Sequence, residues 1–218
     1  MAVASAASAL NALDPAIQLI VVMASLSLLP FIVVSMTSFM RYVIVFSILK
    51  TALGTQQVPP AIVLVGMALI LTFYTMSPVF GEMGTILQPM MAHNDSLVSM
   101  LMAISEPLKE FMMRQTQEQD IAFFLSYTRD AVPTSPAALT IWEVAPAFML
   151  SELRTAFEIG FIIFIPFIVL DLVVANILLA LGMMMLSPTI ISLPFKILVF
   201  VAVDGWSLIV HGLVQSFR

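Results

Sequence analysis

A chain of 218 residues that is 61% hydrophobic and only 10% charged, with mean hydropathy +1.09, carries more apolar surface than a soluble domain of that size hides. The same figures exclude a disordered chain, and a net charge of −5 disfavours nucleic acid as a partner. Cysteine is absent, which removes disulfides, thiolate metal sites and cysteine nucleophiles.

After an N-terminal segment, 1–14, the charges punctuate the sequence. None occurs between Asp14 and Arg41, or between Lys50 and Glu82. Each interval is long enough to cross a hydrocarbon layer of about 30 Å. Pro59-Pro60 sits between them, where proline lacks an N–H and restrains its predecessor. Residues 15–80 therefore read as a helical hairpin.

Residues 81–154 are different in kind. Acidic residues outnumber basic ones there, and the apolar positions fall at helical spacing. Pro107 fits a first helical turn, with Leu108, Phe111 and Met112 on one face. Thr116 with Gln119, and Thr140 with Glu143, have capping-box spacing. This stretch reads as an acidic, amphipathic helical subdomain. A second hairpin occupies 155–218, its two apolar segments divided at Ser187-Pro188 and interrupted by Asp171, Lys196 and Asp204. An ionised group near a bilayer centre costs at least about 2.5 kcal/mol, so these helices are expected to face protein or water for part of their length. The fold class is all-α: an integral membrane-type protein of two long helical hairpins with an amphipathic helical insertion.

Arg41 and Lys50 flank the first hairpin turn and Lys196 follows the second. By the positive-inside rule both turns are cytoplasmic, with the acidic subdomain and both termini outside. The first 14 residues hold no Lys or Arg and so lack the basic start of a cleavable signal peptide. His93 and His211 are too few and too far apart to mark a metal site. Phosphate-loop, HExxH and GxSxG motifs are absent too, so neither a cofactor nor an enzyme activity is expected.

Several stretches resemble the FliP/SctR family of type III export-gate proteins. They are Leu28-Leu-Pro-Phe-Ile, Thr37-Ser-Phe-Met-Arg41, Ala52-Leu-Gly-Thr-Gln-Gln-Val-Pro-Pro60 and Leu71-Thr-Phe-Tyr-Thr-Met-Ser-Pro-Val79. Further along come Ser151-Glu-Leu-Arg-Thr-Ala-Phe-Glu-Ile-Gly-Phe161, Pro166-Phe-Ile-Val-Leu-Asp-Leu-Val-Val174, Gly182-Met-Met-Met185 and Val203-Asp-Gly-Trp206. The family often has Asn directly after Pro-Pro, where this chain has Ala61. The resemblance implies a homo-oligomer of five copies in the bacterial inner membrane, joined by SctS- and SctT-type subunits and working with SctU- and SctV-type export proteins. Its substrates would be unfolded secreted proteins. The missing basic start leans towards the injectisome branch over the flagellar one.

The resemblance also places Met183, Met184 and Met185 at a methionine-rich pore constriction. Methionine is unbranched and flexible, so a ring of it can close on any extended chain and disfavour water. Asp171, within an apolar run, reads as an anchor to a basic or polar partner in preference to a proton relay. Lys196 and Asp204 are eight residues apart, too far along one helix to pair directly, and each is expected to bond a neighbouring chain, as is His211. Arg154 and Glu158, at i and i+4, are placed to pair on a helix surface. His93 reads as a solvated loop residue. Trp142 and Trp206 fit either a membrane interface or a packing role.

Overall fold

In the computed structural model, residues 23, 27, 29–55, 58–93, 97–128 and 139–217 are described. The N-terminal segment 1–14 and the loop residues Asn94 and Asp95 lie outside them. The described residues are helical, with no strand among them: α1 Leu29–Met36, α2 Phe39–Ala52, α3 Ala61–Ala92, α4 Leu97–Gln115, α5 Glu118–Thr128, α6 Ile141–Ala180, α7 Pro188–Ala202 and α8 Gly205–Gln215. Two of these, α3 and α6, are long and apolar enough to cross a membrane, and up to four spans result if each bent pair, α1 with α2 and α7 with α8, counts as one. At 1.5 Å per residue, the 40 residues of α6 extend about 60 Å, twice the thickness of a hydrocarbon layer. Part of α6 must therefore stand outside lipid, and its first turns do carry the amphipathic pattern.

The chain divides into two compact units, 39–75 with 153–218 and 1–38 with 76–152. The boundaries expected at 80/81 and 154/155 thus fall inside the continuous helices α3 and α6, and α1 groups with the insertion and not with the first hairpin. A helix has no break to offer where only the character of its neighbours changes.

The unit of 39–75 and 153–218 holds α2, the first half of α3, most of α6, and α7 and α8. Its core joins Tyr42, Val45 and Phe46 of α2 to Leu64 and Ala68 of α3, Ala156 of α6 and Leu213 of α8. A second cluster unites Leu49, Ala52 and Leu53 with Phe167 and Phe200. Gly160 of α6 lies so close to Ile48 of α2 that a Cβ there would collide with the Ile48 side chain, which explains the glycine. Hydroxyls in these helices are satisfied locally: Ser47, Thr51, Thr72 and Thr75 each donate to the carbonyl four residues back. In an apolar environment that costs less than leaving the hydroxyl without a partner.

The expected fourth apolar helix is instead two. Asp204 adopts a left-handed conformation, φ 50° and ψ 52°, and α7 and α8 meet there at 63°. Gly205 completes the corner, since a Cβ at that position would enter the Phe200 ring. Trp206 stacks edge-on against the same ring at 5.4 Å, so its role within the chain is packing.

The unit containing 76–152 is built on α4, α5 and the start of α6. Phe111, Met112, Leu125, Val144, Ala147 and Phe148 are buried, with Phe111 and Phe148 meeting at 5.9 Å. Pro107 lies within α4, two turns from its end and not in its first turn, while Phe111 and Met112 do face inward and Leu108 is half-buried. The Thr140–Glu143 pair caps α6: the Thr140 N–H and hydroxyl both donate to Glu143 Oε2, at 2.7 and 2.8 Å. The box expected from Thr116 and Gln119 is replaced. Thr116 donates back to the Met112 carbonyl, and Gln117 caps α5 with its own N–H given to Ser151 Oγ at 3.0 Å. Ser151 in turn donates to the buried Asp120 at 2.6 Å, a tertiary tie that local spacing does not encode.

Candidate functional site

The methionine run stands where α6 ends. Gly182, φ 73°, takes the left-handed position that closes a helix. Its N–H donates to the Leu179 carbonyl at 3.0 Å, and the Met183 N–H reaches the Leu178 carbonyl at 2.9 Å. This paired pattern turns the chain out of the helix and lifts the next side chains off it. Met183, Met184 and Met185 are 48%, 79% and 100% exposed within the chain. Met184 and Met185 thus stand largely uncovered by their own subunit, while Met183 is about half covered. Pro188 then restarts the helix one residue after Ser187.

Behind this turn the two helices are stapled. Lys196 Nζ donates to Asp171 Oδ2 at 2.7 Å, and the Ser192 hydroxyl donates to Asp171 Oδ1. Lys196 also gives a bond of 3.1 Å to the Ala52 carbonyl in the last turn of α2. Its side chain is 3% exposed and that of Asp171 is 34% exposed. A charge so enclosed is tolerable only with a bonded counter-charge, and here one cation serves both a carboxylate and a helix-end carbonyl. Of the inter-helix and inter-subunit contacts open to Asp171 and Lys196, the structure shows the inter-helix one: their bond lies within the subunit, made when the α6–α7 turn reverses the chain. The sequence showed both charges but not their pairing, and Ser192 carried no signal beyond its place one turn before Lys196.

Other expected residues are dispersed. Asp204 is exposed at the α7–α8 corner and shares no face with the buried Lys196. His211 Nδ1 lies 2.8 Å from the Ser207 carbonyl in its own helix. Arg154 is half-buried and Glu158 exposed, one turn apart on α6. Trp142 is 76% exposed, and His93 is exposed at the end of α3. Arg41 is buried, with Nη1 2.9 Å from both the carbonyl and the hydroxyl of Ser216. Two of the three basic residues used to orient the chain, Arg41 and Lys196, are therefore interior groups. Among the described residues no cluster of His, Asp and Glu is arranged to hold a metal.

A family model described as FliP family matches residues 22–213. The chain belongs to the FliP family. It is 48% identical over 202 residues to the flagellar biosynthetic protein FliP of Bacillus subtilis (strain 168), an alignment covering 92% of this chain and 91% of that protein. The FliP of Caulobacter vibrioides is 46% identical, with 93% and 76% covered. The Yop proteins translocation protein R of Yersinia pestis is 43% identical over 212 residues, with 92% and 96% covered. Flagellar and Yop relatives thus match the same share of this FliP-family chain. It is an export-gate protein of the type III secretion class, and its apolar helices are those of an inner-membrane protein. The methionine turn and the Asp171–Lys196 staple both lie within the matched residues.

Proposed function

We propose that this chain is the pore-forming core subunit of a type III export gate, and that Met183, Met184 and Met185 from several copies close the constriction through which unfolded proteins leave the cytoplasm. The observation that carries this reading is the exposure of those three side chains on a turn built by Gly182. Apolar, unbranched side chains in a ring exclude water and ions, yet yield to an extended polypeptide of any sequence. The Asp171–Lys196–Ser192 staple holds the two helices that present the turn, so the methionines move while their base stays fixed. The subunit does no bond chemistry, and the driving energy comes from partners or from the ion gradient.

In this reading five copies assemble with SctS- and SctT-type subunits, and SctU- and SctV-type proteins deliver the substrate. The 81–154 segment and both termini face the periplasm, with Lys50 at the cytoplasmic end of α2 as the basic residue that supports this orientation. The chain has no cysteine, so Met185→Cys introduces a unique thiol. In the assembled gate that thiol is expected to form disulfides with a cysteine placed in a stalled, half-exported substrate. Efficient labelling of the introduced thiol by a bulky maleimide in the loaded gate, with no substrate cross-link, would overturn the assignment.

A further inference from the structure

The unit formed by 39–75 and 153–218 uses its two buried cations in the same way. A helix leaves its last carbonyls without intrahelical partners, and an apolar surrounding has little water to supply them. Lys196, on α7, closes the end of α2 at Ala52. Arg41, on α2, closes the end of α8: its Nη1 donates to the Ser216 carbonyl and to the Ser216 hydroxyl, both at 2.9 Å. The cation also suits the negative end of the α8 dipole. The guanidinium lies 3.7 Å above the centre of the Phe217 ring, and that ring meets Tyr42 at 5.5 Å. Arg41 is 2% exposed and Tyr42 fully buried, so the contact is an interior one.

The other end of α8 is a corner. Asp204 holds a left-handed conformation, Gly205 abuts Phe200, and α7 turns into α8 at 63°. Between corner and pin, α8 covers the core cluster with Trp206, Ile209, Val210 and Leu213. We propose that Arg41 is the positioning residue of α8: the helix is a strap hinged at Asp204–Gly205 and fastened at its far end by Arg41, which seats it over α2. This role is independent of what passes through the gate. Lysine would replace it incompletely, because an ammonium offers a point charge without the planar fork or the stack on Phe217.

The test is hydrogen exchange on the full-length chain in its detergent-extracted assembly. Arg41→Gln is expected to speed exchange of the 206–215 amides about tenfold or more, the equivalent of losing a hydrogen-bonded charge, while the 160–180 amides keep their wild-type rates. Arg41→Lys falls between the two. Phe217→Leu, which keeps the bonds to Ser216, gives a rise of about two- to fivefold in the same segment and decides the matter if Arg41→Gln does not accumulate. An unchanged rate at 206–215, or an equal rise in α6 and α8, overturns the strap, since a general loss of stability would loosen both helices together.

Discussion

Both compact units bury charged side chains, but they bond them differently. In the unit of 39–75 and 153–218, the cations Arg41 and Lys196 are buried and each bonds a helix-end carbonyl. In the unit containing 76–152, the buried Lys109 pairs with Glu106 and the exposed Arg114 with Glu110, each pair on a single helix, with the glutamates 64% and 63% exposed. Asp120 is buried there as well and accepts a bond from Ser151, and Glu152 is fully buried. The contrast follows from the solvent. Where apolar helices face lipid or protein, a buried cation is bonded from another helix; where a helix has a water-facing side, its own neighbouring turn supplies the partner.

Breaking the buried staple should have the largest effect. Asp171→Ala leaves Lys196 enclosed without its counter-charge, and a loss of about 3 kcal/mol is expected in detergent unfolding, with Asp171→Lys abolishing assembly altogether. Joining Asp171→Leu to Lys196→Met should recover much of that loss, and full additivity of the two single losses would show that the residues do not act as a pair. Next comes the α7–α8 corner. Gly205→Ala forces a methyl group into the Phe200 ring and should cost about 2 kcal/mol, read as a lowered unfolding midpoint. In the other unit, Glu143→Ala removes the cap at Thr140 and should cost about 1 kcal/mol, visible as faster exchange in the first turn of α6. Arg114→Ala, which breaks a pair exposed on both sides, should stay within about 0.5 kcal/mol of wild type. A reversal of this order, with the Arg114 change costing more than the Asp171 change, would break the contrast between the units.

Much of the fold was legible. Charge-free intervals marked the apolar helices, and Thr140 with Glu143 announced the start of α6. Ser187-Pro188 marked the divide between the last two apolar segments because proline restarts a helix. What the residues did not disclose was tertiary. Asp171 and Lys196 are 25 residues apart, and only the reversal at Met183–Met185 makes them neighbours. Arg41 looked like a flank of the membrane because it ends a charge-free run; its burial depends on Ser216, 175 residues away. The break at Asp204 was hidden for a different reason: hydropathy continues unchanged across it, and an aspartate in a left-handed conformation has no periodic signature. The expected boundaries differ from the limits of the compact units because composition shifts along α3 and α6 while the helices themselves run on.

The central claim is that the three methionines seal the gate. The most direct measurement is ion conductance through the assembled, membrane-inserted complex carrying Met183→Ala, Met184→Ala and Met185→Ala together. The account predicts a complex of unchanged mass that leaks small ions, because alanine leaves a gap where methionine filled it. A complex of unchanged mass that stays as tight as wild type would contradict it.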